Sequence, residues 1–329
     1  MTTLYVDRKD IELRVSGGAI QFHEPGGQRG SAPLAPLERV VLRGRASLTT
    51  SALGAIADSG AGVLILSGRH NRHMATVVGR PHNDVVRRLG QFDAYRDPVA
   101  RLAWSHGLVR AKIHAQLRLL ERARERRPDK RRPLTRFIRQ LRTMRDGIAD
   151  DSSAAASVSR LLGVEGAAAA AFFSGYREMF PPSLEFRGRN RRPPRDPVNA
   201  CLSLGYTLLH CDAVLACHSA GLDPMLGLYH EPAYGRESLA CDVIEPLRPH
   251  VDGWVWDLFR DRVLAGRDFS RDNGAVLLGK SGRKRFYERF NPLGAALRRL
   301  LRRQTATAAR EFATRGEALP PAGGAGPVS

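Results

Sequence analysis

The sequence has few of the features that mark secreted, membrane-spanning or disulfide-stabilised proteins. Four cysteines in 329 residues are too few for a disulfide scaffold and are typical of a reducing cytoplasm. No uncharged apolar run approaches the roughly 18 residues of a membrane span, so we expect no transmembrane helix and no membrane association. The first twenty residues contain acids and no apolar segment, so we expect no signal peptide and a cytoplasmic location.

Lysine is also scarce, yet cations are in large excess. Lys and Arg total 52 against 33 Asp and Glu, a formal net charge of +19, and only five of the 52 are Lys. A GC-rich genome would explain the preference for Arg over Lys, but it does not explain the excess of cations over acids. A positive field of this size attracts polyanions, and nucleic acid is the first candidate.

The first part of the chain has the pattern of a β-rich domain. A hairpin is predicted over residues 11–23, because the glycines at 17 and 18 suit a tight turn. Continuous apolar runs at 40–42 and 63–66 predict buried strands. Further short strands are expected at 3–6 and 75–78, with one helix at 51–57.

Beyond residue 83 the β pattern stops and helical periodicity takes over. Asp97-Pro98 and Asp196-Pro197 each combine an N-cap with a proline at the first helical position. Helices are predicted over 97–125, 134–148, from 152 or 153 past Phe172, 196–221, 238–265 and 282–304. The sequence therefore predicts an α+β protein with a β-rich domain at 1–82, a larger α-helical domain at 83–315, and a disordered tail at 316–329.

Glu165 lies in an otherwise apolar helical segment. Helical spacing places it on the face that carries Leu161, Ala168 and Phe172. An unpaired buried carboxylate is costly, so the pattern predicts burial against a cation or a metal. A solvent-facing Glu on a mostly buried helix is the alternative.

Two further acids and a histidine occur later in the chain. His230 lies in a turn-rich loop, where a lone His is most often a surface or packing residue. Asp242 and Glu245 have the i,i+3 spacing that puts both carboxylates on one helical face, and Pro246 is expected to kink that helix. With Glu165 they form an oxygen-rich set with one imidazole, which suits Mg²⁺ or Mn²⁺ better than structural zinc.

The order of these motifs resembles a known family. Residues 196–209, which begin Asp-Pro-Val-Asn, are similar to the central helix motif of the CRISPR-associated adaptation integrases, the family called Cas one. Gly221-Leu222-Asp223-Pro224, His230 and the segment 240–248 follow in that family's order and at about its spacing. The resemblance covers most of residues 3–304.

This resemblance implies a fold, a site and a reaction. The fold would be a small N-terminal β-sandwich-like domain followed by a larger all-α C-terminal domain. The metal ligands would be Glu165, His230 and Glu245, with Asp242 as the supporting acid of the same catalytic cluster. The last ligand is often Asp in this family. The reaction would be attack by a 3′-hydroxyl of incoming DNA on a phosphodiester at the boundary of a CRISPR repeat, with Mg²⁺ or Mn²⁺ as the cofactor.

The resemblance also implies the partners: double-stranded DNA, a second copy of the chain and a small protein called Cas two. Because the β-rich domain has low net charge and potentially open strand edges, we expect it to carry the homodimer contact. Phosphate contacts are predicted for two basic clusters, whose members are Arg187, Arg189, Arg191 and Arg192, and Lys280, Arg283, Lys284 and Arg285.

Two other functions remain open from the residues alone. A noncatalytic basic nucleic-acid-binding protein would explain the charge but not the buried acids. A hydrolase acting on a small acidic substrate would need fewer scattered arginine clusters. Metal-dependent strand transfer on duplex DNA distinguishes both from an integrase.

Overall fold

Strands come first along the chain and helices follow in this computed structural model, which confirms the predicted α+β class. The structure describes residues 2–68, 73–79, 82–149, 157–190 and 193–319. The strands are β1 (Thr2–Val6), β2 (Ile11–Ser16), β3 (Ala19–Glu24), β4 (Gly27–Pro33), β5 (Leu37–Arg43), β6 (Ala46–Leu48), β7 (Gly62–Leu66) and β8 (His73–Val77), and one helix, α1 (Thr50–Asp58), lies among them.

The first eight strands form two four-stranded sheets. One has the order β1-β5-β7-β8 and the other the order β4-β3-β2-β6. The predicted hairpin is β2–β3, with Gly17 and Gly18 at positive φ in its turn, where glycine has no steric penalty. Thr49 caps α1 through its hydroxyl.

The β1-β5-β7-β8 sheet is buried on both faces. Val40 and Val63 pack towards the other sheet in a core that includes Leu13. Val41 and Leu64, which point the opposite way, belong to the core formed by the helices. This explains the continuous apolar runs of β5 and β7. It also means that the β-rich part and the helical part share a core across the predicted boundary at residue 82.

The helical part is built around one central, largely buried helix, Pro197–Ser219. Its helices are α2 (Val86–Arg96), α3 (Pro98–Arg126), α4 (Arg131–Ala149), α5 (Val158–Arg177), α6 (Pro197–Ser219), α7 (Ser238–Ile244), α8 (Arg248–Arg260) and α9 (Lys280–Glu317). Asp97 and Asp196 cap α3 and α6 as predicted. Across the described ranges, α6 is the single helix long and apolar enough to cross a bilayer, and 67% of its most apolar stretch is buried in the protein.

The helical part differs from the prediction in several places. A hairpin of β9 (Phe269–Asp272) and β10 (Ala275–Leu278) interrupts the helices, and α2 was not predicted. The basic segment after α3 is a short 3-10 turn followed directly by α4, because Pro133 falls in the first helical turn, where no amide donor is needed. The last helix continues to Glu317, into the predicted tail. Residues 320–329 lie outside the described residues.

A buried ion network joins the sheet to the helices. Arg39 on β5 donates to Asp212 on α6, and neither side chain is exposed by more than 1%. Arg298 on α9 donates to Glu38 at 2.5 Å, and Arg302 donates to the same carboxylate at 2.7 Å. Because these pairs lie between elements distant in sequence, they fix how the sheet sits on the helices.

Candidate active site

Asp242 anchors the loop that carries His230. Its side chain is fully buried. One carboxylate oxygen accepts the backbone N–H groups of Leu228 and Tyr229 at 2.8 and 3.0 Å, and the other accepts the backbone N–H of His230 at 3.0 Å and its Nδ1–H at 2.7 Å. Since the carboxylate can only accept, the neutral imidazole carries its proton on Nδ1 and keeps a lone pair on Nε2.

Two glycines and a buried glutamine determine the backbone path of the loop that carries His230. Gly221, at φ +77°, ends α6 in the left-handed conformation that the sequence predicted. A Cβ on Gly227 would lie 2.7 Å from the backbone of Ser238, so glycine lets the loop approach α7. The buried Gln91 donates to the carbonyl of Leu226 at 2.8 Å and so ties the loop to α2.

Glu165 and Glu245 meet at one ammonium group. Lys112 on α3 donates to Glu165 on α5 and, at 2.5 Å, to Glu245 in the turn that follows α7. The three side chains are buried or nearly so, with exposures of 11%, 20% and 7% for Lys112, Glu165 and Glu245. Arg248 donates to the second oxygen of Glu245 at 2.7 Å.

These contacts set the protonation of the groups. Burial alone would raise the pKa of Glu245, but Arg248 and Lys112 lower that pKa to about 2. Burial alone would lower the pKa of Lys112, but Glu245 and Glu165 raise it above its ordinary value. At neutral pH Glu245 is therefore a charged carboxylate and Lys112 a charged ammonium.

The aromatic ring of Tyr206 contacts two arginine side chains. The guanidinium carbons of Arg248 and Arg189 lie 4.7 and 5.3 Å from the ring centroid of Tyr206, a distance at which a cation is attracted to the ring. The Tyr206 hydroxyl donates to the buried Asp252. Burial raises the pKa of Asp252 to about 7, against the lowering effects of the Tyr206 hydrogen bond and Arg189.

The structure revises one sequence interpretation of this region. Asp242 and Glu245 were expected to share one helical face. The α-helix instead ends at Ile244, and Glu245 begins a 3-10 turn with Pro246 at its second position. Asp242 consequently faces the loop at 228–230, while Glu245 faces Lys112 and Arg248.

Sequence reasoning missed Lys112, Tyr206 and Arg248. The position of Lys112 could have been noticed, because it lies between Val109, Ile113 and Gln116 on the buried face of α3. A lysine on such a face needs an acidic partner, and Glu165 was already predicted to need a cation. For Tyr206 and Arg248 the sequence offers no comparable pattern.

The donor set fits a divalent metal. Carboxylate oxygens and one imidazole are ligands that Mg²⁺ and Mn²⁺ accept. The Asp242 contact to Nδ1 of His230 is the outer-shell bond that metal-ligating histidines usually make. In the part of the chain that the structure describes, however, no three His, Cys, Asp or Glu side chains converge closely enough to form a metal site, and Lys112 bridges Glu165 and Glu245.

The described members of the predicted DNA-contacting set fall into three groups. Arg187, Lys280 and Lys284 are exposed. Arg189 is half-buried on Tyr206 and donates to Asn199 at 2.8 Å. Arg283 and Arg285 have intramolecular partners, the first with Asp7 at 2.7 Å and the second with Asp268. Arg191 and Arg192 lie outside the described residues.

Comparison with known proteins identifies the family. The family model for CRISPR associated protein Cas1 matches residues 4–292. A CRISPR-associated endonuclease Cas1 of Thermodesulfovibrio yellowstonii is 40% identical over 289 residues, which is 87% of this chain and 89% of the relative. One from Rhodospirillum rubrum is 34% identical over 291 residues, 86% of this chain and 83% of the relative.

Solved structures agree on the fold. A casposase bound to integration product superposes with a TM-score of 0.81 at 21% identity, covering 97% of this chain and 92% of the casposase. A Cas1 protein from Thermotoga maritima gives 0.78 at 20% identity, covering 95% of this chain and 97% of that protein. With the family model spanning most of the sequence and relatives well above 30% identity, the chain belongs to the Cas1 family of CRISPR-associated proteins.

Proposed function

We propose that this protein is a divalent-metal-dependent DNA endonuclease and integrase that inserts spacer DNA into a CRISPR array. The class of enzyme, a CRISPR adaptation nuclease and integrase, follows from its family and its endonuclease relatives. The observation that supports a metal-dependent site is that the carboxylates of Glu165 and Glu245 contact the same ammonium group, that of Lys112. His230 lies close enough to influence the pKa of Glu245.

The residues take distinct roles in this proposal. Glu165, Glu245 and Nε2 of His230 would hold the metal ion, which when bound would activate the attacking 3′-hydroxyl and neutralise charge at phosphorus. Asp242 fixes the imidazole through Nδ1, which leaves the lone pair of Nε2 for a metal ion. Arg248 donates to Glu245 at 2.7 Å, and its guanidinium carbon lies 4.7 Å from the centroid of the Tyr206 ring, so both contacts restrict the orientation of the carboxylate.

The reaction can be tested directly with defined DNA ends. A duplex with free 3′-hydroxyls and an array-bearing plasmid should give joined products in Mn²⁺ or Mg²⁺, and none in chelator. The same duplex with 3′-dideoxy ends is the matched control and should give no product, because the attacking group is missing. Joining in chelator, or joining of dideoxy ends, would contradict the proposal.

We assign DNA contact first to the exposed cations. Lys280 and Lys284, with Arg8, line a cavity of about 940 Å³ beside the stacked rings of Tyr5 and Tyr287. Lysines that line such a cavity can reach the phosphates of bound DNA. Arg187 is exposed on the loop that leads to α6, two residues before Arg189, which contacts Tyr206.

A salt titration tests these contacts. The logarithm of affinity for duplex DNA should fall with the logarithm of salt concentration by about 0.9 for each phosphate contacted. Replacing Arg187, Lys280 and Lys284 with Ala should make that slope shallower by about the same amount per residue lost. Arg271→Ala, which removes an exposed cation paired with Glu185, is the control. An unchanged slope in the triple variant would mean that these residues do not touch DNA.

The partners proposed are duplex DNA, a second copy of this chain and a Cas2 protein. Part of a chain from a solved Cas6-RT-Cas1–Cas2 complex has this fold, with a TM-score of 0.74 at 22% identity, covering 96% of this chain and 35% of that chain. We place the homodimer contact in the predicted domain 1–82, where β4 is an exposed edge strand. The cytoplasm is the compartment where such a complex would meet a chromosomal array.

An edge-strand substitution tests the dimer contact without disturbing the core. Ser31→Lys places a charge on exposed β4 and should convert a dimer to a monomer in light scattering. Ser47→Lys on β6, the opposite edge of the same sheet, is the matched control. A dimer that survives Ser31→Lys would place the interface elsewhere. Co-purification with a tagged Cas2 protein tests the second partner.

A further inference from the structure

The centre of the candidate site contains a lysine that the family comparison does not explain. Lys112 is one of five lysines among 52 cationic side chains, and it is buried on α3 with its ammonium shared by Glu165 and Glu245. An arginine would be held by its planar, forked geometry, whereas a lysine is a compact charge on a flexible four-carbon stem. A lysine side chain can therefore move away from the two carboxylates more easily than an arginine side chain could.

The ammonium and a divalent ion compete for the same oxygens. Lys112 uses one oxygen of Glu165 and one of Glu245, and the other oxygen of Glu245 is taken by Arg248. A metal ion held by both carboxylates would have to lie where the ammonium now lies, and two cations there would repel strongly in a buried setting. Metal binding must displace Lys112.

The displaced ammonium then needs another anion. It starts from a largely buried position, where an unpaired charge is costly. Among the described residues, Glu165 and Glu245 would both be occupied by the metal, and Asp252, the other buried carboxyl group that feels the charge of Lys112, already accepts the Tyr206 hydroxyl. A phosphate oxygen of the DNA substrate is the anion that arrives at this site during the reaction, and lysine is well suited to bind it.

We propose that Lys112 is an internal counter-ion that makes metal binding depend on DNA. It holds Glu165 and Glu245 together before the site is loaded, and it yields its place to the metal when a DNA phosphate can accept its ammonium. Lys112 acts as a positioning residue through the two carboxylates. This inference rests on the proposed metal site and adds a coupling between two ligands, which must then be reciprocal.

The coupling is measured by Mn²⁺ titration of the full-length chain, with and without a duplex that has 3′-dideoxy ends and so cannot react. In the unmodified protein, Mn²⁺ should bind at least about tenfold more tightly with DNA than without it. Lys112→Met, which keeps the length of the side chain and removes its charge, should bind Mn²⁺ about tenfold more tightly without DNA. In that variant the difference made by DNA should shrink to less than about threefold.

Several variants separate the possible outcomes. Lys130→Met removes a lysine that pairs with Glu178 at 3.1 Å near the surface and should leave Mn²⁺ binding unchanged. Lys112→Gln repeats the charge removal if Lys112→Met does not fold, with folding checked by circular dichroism. Equal or weaker Mn²⁺ binding by the folded Lys112 variants without DNA, or a DNA effect as large as in the unmodified protein, would overturn the proposal.

A different variant tests the site on which this inference rests. His230→Ala should weaken Mn²⁺ binding with and without DNA, because it removes a ligand. If His230→Ala binds Mn²⁺ normally, the proposed metal site is wrong. If His230→Ala weakens binding while Lys112→Met does not strengthen it, the site stands and the counter-ion role fails.

Discussion

Asp242→Asn is the substitution with the most specific structural consequence, because it changes one atom of a carboxylate that accepts four hydrogen bonds. The Asn amide oxygen can still accept from Leu228 and Tyr229. The amide NH₂ then faces His230, where the carboxylate had accepted both the backbone N–H and Nδ1–H. The amide NH₂ of the new asparagine therefore faces two hydrogen-bond donors of His230, the backbone N–H and Nδ1–H.

The magnitudes follow from these contacts. The backbone N–H of His230 loses its acceptor in a buried position, which costs about 1–3 kcal/mol of the free energy of unfolding. The imidazole adapts by moving its proton from Nδ1 to Nε2, so that Nδ1 accepts from the new amide. Nε2 then has no lone pair for a metal, and we expect Mn²⁺ affinity to fall by at least about 10- to 100-fold.

Calorimetric titration with Mn²⁺ and urea denaturation in chelator measure the two effects separately. Asp252→Asn is the matched control, since Asp252 is equally buried but bonds Tyr206. Its pKa of about 7 means that an amide resembles the protonated form already present, so Mn²⁺ affinity should not change. Normal Mn²⁺ affinity in a folded Asp242→Asn protein would refute the proposed role of the Asp242–His230 bond.

Three further predictions concern the fold. Arg39→Met should lower the free energy of unfolding by up to about 3–5 kcal/mol, because the buried Asp212 loses its hydrogen-bonded partner and keeps only the longer contact to Arg298 at 3.8 Å. Adding Asp212→Leu should recover part of that loss in the same denaturation assay. Gly90→Ala should cost at least about 2 kcal/mol, since the new Cβ would lie 1.7 Å from the carbonyl oxygen of Phe312 and force α2 away from α9. The raised pKa of Asp252 means that the folded state binds this proton more tightly than the unfolded state does. The contribution of Asp252 to the free energy of unfolding should therefore decrease as the pH is raised from about 4 to about 7, by at most about 1.4 kcal/mol per pH unit. The free energy of unfolding of Asp252→Asn, relative to that of the unmodified protein, should be more favourable at pH 8 than at pH 4.

Matched substitutions separate these effects from general perturbation. Arg271→Met breaks an exposed pair with Glu185 and should change the free energy of unfolding by less than about 1 kcal/mol. If Arg39→Met also loses no more than Arg271→Met does, burial does not have the role that we give it. Gly107→Ala has open space around the new Cβ and should gain roughly 1 kcal/mol. If Gly90→Ala also gains stability, the close approach of α2 and α9 is wrong.

Local patterns predicted the elements that depend on local physics. The continuous apolar run at Val63–Leu66 predicted a strand buried on both faces, and Asp97-Pro98 and Asp196-Pro197 predicted two helix starts. The β9–β10 hairpin escaped detection because each strand has only four residues, too few for an alternating pattern to be distinct.

The site could be predicted only in part, for a similar reason. The apolar surroundings of Glu165 favoured burial against a cation or a metal over a solvent-facing position, but they could not identify its partner Lys112, which lies 53 residues away on another helix. The i,i+3 spacing of Asp242 and Glu245 misled, because the pairing depends on where α7 ends and on the loop at 228–230. Contacts of that kind are set by tertiary packing, which sequence spacing does not contain.

The central claim, that Glu165, Glu245 and His230 form a metal-dependent strand-transfer site, is tested most directly by His230→Ala in disintegration of a branched DNA substrate, with and without chelator. His230 lies at the edge of the site with 17% of its side chain exposed, so its removal should leave folding and DNA binding nearly intact. We predict that the unmodified protein resolves the branch only with Mn²⁺ or Mg²⁺ and that His230→Ala does not. Cys211→Ala, in the core of α6, should lose stability and keep the activity. Metal-dependent resolution by His230→Ala at the unmodified rate would contradict the account.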